Sequence, residues 1–133
     1  MNTRFQSAFR RATAPVLLAL LAGCASAGTS GEMPAMEHDG FLSTSTGMSL
    51  YVFDKDPANA GKSVCNGPCA TNWPPLTAAA DAKPMSDWTP ITRDDGSKQW
   101  AYKGKPLYQW IKDTKPGDRS GDGFNGVWHL ARP

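Results

Sequence analysis

Histidine and cysteine are scarce in this sequence, with two and three copies among 133 residues. That leaves few groups for a histidine-assisted nucleophile, and no Gly-x-Ser-x-Gly elbow is present to hold a serine. Long apolar runs are also missing. The longest, residues 16–22, is far short of the roughly 20 residues a bilayer-crossing helix needs. No stretch keeps a helical apolar period, and 11 Pro and 13 Gly work against long helices. Lys and Arg gather on no dense basic face, which speaks against nucleic-acid binding.

What is present begins with an export pattern. Arg4, Arg10 and Arg11 precede the short apolar run, with no acidic residue among them. A basic segment followed by a short apolar one reads as a signal peptide, here residues 1–23. Leu21-Ala22-Gly23-Cys24 resembles the bacterial lipobox, which implies lipidation of the Cys24 thiol (palmitate or a similar acyl chain). Two or more acyl chains give stable anchoring without a spanning helix. Ala25 follows, with no Asp there to suggest inner-membrane retention. In a Gram-negative host the expected location is the outer membrane facing the periplasm. After cleavage eleven Lys and Arg face twelve Asp and Glu, so the basic balance of the whole chain comes from the signal. Residues 24–40 read as a lipidated flexible tether, being small, polar and broken by Gly and Pro. The remainder, 41–133, suits one small domain.

An internal repeat organises that domain. Gly47, Leu50, Tyr51, Phe53, Lys55 and Asp56 return as Gly104, Leu107, Tyr108, Trp110, Lys112 and Asp113 at one constant offset. Two copies are too few for a solenoid, so a pseudo-symmetric single domain is expected. Each copy reads as the second half of a β-hairpin, entered through a Gly turn at Thr46-Gly47 or Lys103-Gly104. Period-two geometry puts Tyr51 with Phe53, Tyr108 with Trp110, and Trp100 with Tyr102 on shared faces. Another strand is expected over 88–93, at an edge because of Pro90, and a closing one over 127–130. The fold class is therefore mainly β: two pseudo-symmetric hairpin repeats with long Gly/Pro-rich loops.

The paired Tyr-x-aromatic-x-x-Asp segments resemble the secreted-repeat lipoproteins of bacteria. Tyr51, Phe53 and Asp56 fill the first motif, and Tyr108, Trp110 and Asp113 the second. The segment from Cys65 to Leu76, and Gly117 to Gly123 with Val127-Trp128, look like that family too. The resemblance covers nearly all of 41–130 and implies an exported module, with no activity attached.

Candidate chemistry is sparse. Cys65 and Cys69 surround Gly67-Pro68, and an exported pair so close favours a structural disulfide. A reversible redox pair and a soft-metal dithiolate are the alternatives. Met33, Met36 and His38 put two thioethers and an imidazole within the tether, a set that suits copper if it is more than linker composition. Residues 118–123 have the oxygen spacing of a calcium loop, but His129 stands where a bidentate Glu is needed. Gly61-Lys62-Ser63 lacks the first glycine of a phosphate loop, since residue 56 is Asp. The motif Tyr residues are expected to fill the core and the Asp residues to cap turns. The expected function is that of an envelope-anchored, non-catalytic binding module for an unknown envelope protein or small ligand, contacting the membrane through its lipid. Copper handling or thiol redox support in the envelope is the alternative.

Overall fold

The computed structural model describes residues 31–133. The expected signal peptide, Cys24 and the start of the tether lie outside the described residues. No described helix is long and apolar enough to cross a membrane.

The fold is mainly β, in one small domain. Strands β1 (Met36–His38) and β2 (Phe41–Ser43) form a hairpin across Asp39-Gly40. Both turn residues have positive φ, 53° and 80°. That is the geometry of a type I′ turn, which Asp-Gly adopts readily. The ordered fold therefore begins earlier than Phe41. Ala35 is already buried, and β1 carries Met36 and His38 as a paired strand. The tether of 24–40 is corrected accordingly: its last residues belong to the domain, because β2 offers β1 a hydrogen-bonding edge.

From β2 the chain turns at Thr44–Gly47 and comes back alongside, with Ser43 bridged to Ser49 and the Leu50 amide donating to the Leu42 carbonyl at 3.0 Å. It then leaves its own hairpin. Strand β3 (Tyr51–Phe53) pairs antiparallel with the closing strand β8 (Trp128–Leu130). A short helix α1 (Pro68–Asn72) follows, with Pro at its start where no amide is needed.

Strands β4 (Thr77–Ala78), β5 (Trp88–Thr92), β6 (Lys98–Tyr102) and β7 (Lys105–Pro106) form the largest sheet, with β6 bonded to the other three. Pro90 lies on β5, an edge strand, where its missing amide costs no ladder bond. The β6–β7 hairpin turns at Lys103-Gly104 as expected. Tyr108 to Trp110 do not extend β7; Tyr108 makes only isolated bridges, to Tyr51 and Pro75. Gln109 instead donates its amide to the Pro74 carbonyl at 2.8 Å, so this segment pairs with the first repeat's connector.

The repeats interlock. The Leu76 amide donates to Leu107, Leu107 to Trp100, and Trp100 to Leu76, at 2.8, 3.1 and 2.8 Å. The same closed triangle recurs as Ala131 to Leu50, Leu50 to Leu42, and Leu42 to Ala131. In each triangle the last segment of one repeat is seated on the hairpin of the other.

Two apolar clusters result. One gathers Trp88, Trp100, Leu42, Leu50, Leu107, Ala35 and Ala131. The other is aromatic, built on Tyr51, Tyr108, Trp73, Trp110 and Trp128.

Candidate functional site: crossed tyrosine–aspartate pairs on a tryptophan stack

The two motif tyrosines meet at the centre of the domain. The Tyr51 amide donates to the Tyr108 carbonyl at 2.8 Å, and the Tyr108 amide to the Tyr51 carbonyl at 2.9 Å. This reciprocal exchange marks a local pseudo-twofold axis, with each copy entering in the opposite direction. Both rings are fully buried.

Their hydroxyls cross over. Tyr51 donates to Asp113 Oδ2 at 2.5 Å, and Tyr108 donates to Asp56 Oδ2. Each motif is therefore completed by the aspartate of the other copy. The sequence places Tyr51 near Asp56 and Tyr108 near Asp113, and those are not the pairs that form.

A second layer fixes the carboxylates. Asp56 accepts the Val64 amide at 2.8 Å through Oδ1. Asp113 accepts the Ser120 amide at 3.0 Å and its hydroxyl at 2.6 Å. Ser63 lies 2.6 Å from the Tyr108 oxygen; since the phenol proton is directed at Asp56, Ser63 is the donor. Ser63 itself accepts the Cys65 amide at 3.0 Å. Burial is the main reason both phenols are pushed well above their ordinary range, with the facing carboxylates adding to it. Burial also raises Asp56, while Tyr108, the Val64 amide, Arg93 and Ser63 pull it back. Neutral phenols already committed as donors are poor bases at physiological pH.

The aromatic members of the motifs also cross. Phe53 stacks on Trp128 at 4.3 Å, Trp128 on Trp73 at 3.8 Å, and Trp73 on Trp110 at 4.0 Å between ring centres. Four rings thus run in one column, drawn alternately from the two copies. Tyr51 meets Trp73 edge-on and Tyr108 meets Trp128 edge-on, so the hydrogen-bonded pairs flank the column. Each such aromatic contact adds about 0.5–1.5 kcal/mol beyond the area it buries.

Cys65 and Cys69 form a disulfide, with Cys65 fully buried. The bond ties α1 to the loop that carries Ser63 and Val64. The buried Arg93 donates to Gln99 Oε1 at 2.6 Å and to the Cys65 carbonyl. Gln99 passes the chain on to the Leu107 carbonyl at 2.8 Å. Arg93 thereby joins the disulfide loop to β6.

Arg93 and Gln99 were not among the residues the sequence pointed to, and Ser63 and Ser120 came up only within a phosphate-loop and a calcium-loop comparison, not as partners of the motif. A signal for the serines existed: each stands seven residues after its motif aspartate. Arg93 and Gln99 had no counterpart in the other copy to mark them.

Other candidates lie elsewhere. Met33 and Met36 are exposed, and His38 Nδ1 sits 3.2 Å from Asp39. Asp118 accepts the Thr114 and Lys115 amides at 2.9 and 3.2 Å and so caps a local turn, while Asp122 accepts the amide of Leu130 on β8 at 3.0 Å. Gly61 and Lys62 are exposed beside buried Ser63. Among the described residues no three His, Cys, Asp or Glu gather in a metal-binding group.

Two stretches of the chain, 36–77 and 89–132, match the model of a family described as a secreted repeat of unknown function. The chain belongs to this secreted-repeat family. The matched stretches are the two halves that interlock, and the first begins at Met36, where β1 begins. No curated protein and no solved structure matches the chain. A secreted-repeat family fits an extracellular or envelope location.

Proposed function

We propose that this secreted-repeat protein is an envelope lipoprotein, acylated at Cys24, whose repeat domain is a non-catalytic binding module. One observation carries the reading of the domain. The Tyr and Asp side chains that define its motif spend their hydrogen bonds on each other, across the two copies. Groups so committed hold the module together and leave recognition to its outer surface. The lipobox-like run before Cys24 supports the anchor. Ten residues separate Cys24 from buried Ala35, so the domain rides at most about 40 Å from its lipid. In a Gram-negative host it faces the periplasm from the outer membrane.

The test is the mature N-terminus. Mass spectrometry of protein extracted from its native envelope is expected to find acylated Cys24 as the first residue. Cys24→Ser is expected to move the protein out of the membrane fraction. An unmodified Cys24 in a protein that stays soluble would refute the anchor.

A second reading, copper handling, draws support from β1. Met36 and His38 are two apart on an exposed strand and therefore point to the same side, and exposed Met33 lies three residues before Met36 in the chain. Copper(I) titration of the protein and of a Met33→Ala, Met36→Ala, His38→Ala variant decides it; equal affinity in both ends this reading.

A further inference from the structure

We propose that the cleft at the seam between the repeats binds a small organic anion with an apolar body. This rests on the binding-module reading and gives it a ligand class. The cleft has a volume of about 390 Å³, within the range of small-molecule sites. Val52, Leu107 and Leu130 give it an apolar floor, while Lys103, Lys105 and Arg132 bring three positive charges to its walls. Both copies build it: Val52 comes from β3 of the first, the others from the β6–β7 hairpin and the closing segment of the second.

Among the described residues, none of these three cations has a carboxylate within ion-pair distance. Lys115 and Arg119, elsewhere on the surface, are paired with Asp118 and Asp39. Uncompensated charge above an apolar floor selects a ligand that is negative at one end and apolar at the other. His129, which also lines the cleft, is held 2.8 Å through Nε2 from the Asp54 carboxylate, so that carboxylate has a partner of its own. Arg132 is steadied by donating to the Gly40 carbonyl at 3.2 Å.

The backbone gives a second sign. Lys103 occupies the first central position of the β6–β7 turn with φ 47°, and Gly104 follows at 81°. Asn, Asp or Gly normally fills that first position, and a long side chain there carries local strain. The strained residue is one that lines the cleft.

The experiment uses the full-length protein in dodecyl maltoside and naphthalene-2-sulfonate as the probe. Calorimetry is expected to show one saturable site. Lys103→Glu/Lys105→Glu, and independently Arg132→Glu, are expected to weaken it about tenfold or more. Near-UV circular dichroism checks that each variant is folded, and Arg132 lies outside the strained turn. With probe bound, acetylation of Lys103 and Lys105 is expected to slow while that of Lys55 and Lys112 stays the same. No saturable binding at millimolar probe, equal binding of the neutral naphthalene-2-methanol, or unchanged affinity in both folded variants would overturn the proposal. The Cys24 acylation test is independent of this result, so the anchor can stand if the cleft fails.

Discussion

In the first repeat the connector behind Asp56 is closed by the Cys65–Cys69 disulfide and braced by buried Arg93. In the second, the connector behind Asp113 has neither. It is folded by Asp118 and Asp122 capping backbone amides, and by close packing at Gly121. The two ends nevertheless deliver the same thing: a serine beside a carboxylate that accepts the other copy's phenol. A shared contact geometry can thus be supported covalently on one side and by polar caps on the other. The central contact is common to both copies, whereas the supports differ and should respond differently to perturbation.

The largest effect is expected at the point the copies share. Trp73→Ala removes the ring between Trp110 and Trp128, and should cost about 3–5 kcal/mol in denaturant unfolding. A loss of less than about 1 kcal/mol would mean that the column closes up without it.

Next comes the covalent support. Replacing Cys65 and Cys69 by Ser should cost about 2 kcal/mol, since the bond closes a short loop, and native protein should show no free thiol. The second repeat offers no equivalent bond to lose, so reducing agent should loosen the first connector first. Hydrogen exchange at the Val64 and Ser120 amides measures this directly, with Val64 expected to speed up the more.

Tyr51→Phe and Tyr108→Phe should each cost about 1–3 kcal/mol, because a carboxylate oxygen, buried on Asp113 and half-buried on Asp56, loses its donor. Double-mutant cycles sharpen the point. Tyr51→Phe should couple to Asp113→Asn and not to Asp56→Asn, which is nearer in sequence. Coupling within a copy would break the crossed arrangement.

Gly121 and Val64 occupy matching places after Ser120 and Ser63. A Cβ on Gly121 would lie 2.7 Å from Trp73 Cη2 and 3.0 Å from Tyr51 Cε1. Gly121→Ala should therefore cost about 1–3 kcal/mol through overpacking. Val64 is exposed, so Val64→Ala should stay within about 0.5 kcal/mol.

The smallest difference is in acid. Asp56 is raised by burial, so its contribution to stability is full below pH 3.8 and declines as pH rises through its folded value. Asp118 is lowered, first by the Thr114 amide, so its contribution is full above pH 3.8 and declines as pH falls through its folded value. Asp118→Asn should therefore flatten the acid loss of stability, and Asp56→Asn should steepen it. At the alkaline end both copies agree. Tyr51 and Tyr108 stabilise the fold up to about pH 10, and this is lost as pH climbs toward their raised values. Two phenolate equivalents should then appear at 295 nm together with the loss of near-UV dichroism.

Much of this was legible in the chain. Turn chemistry at Lys103-Gly104, alternation across Tyr51 and Phe53, and Pro90 at an edge all follow from local rules, and the structure keeps them. The β1 strand was not legible, because Met36, Glu37 and His38 are all exposed and show no alternation. Arg93 was not legible either: a lone Arg after a strand usually faces solvent, and its burial depends on the Cys65 carbonyl and Gln99 arriving from elsewhere.

By itself the sequence determined that there are two copies, which residues they share, and that the Cys pair lies in a segment of a secreted-repeat chain. It also determined that each Tyr has an Asp five positions on. Only the tertiary structure decided that those neighbours are not partners. Between each Tyr and the Asp that follows it the chain turns, with the Asp56 amide on the Phe53 carbonyl and the Asp113 amide on the Trp110 carbonyl. The two buried phenols sit at a pseudo-twofold axis where the other copy's carboxylates arrive from the opposite direction. Buried polar groups take whichever partner reaches them, and here the interlocked chain brings Asp113 to Tyr51 and Asp56 to Tyr108.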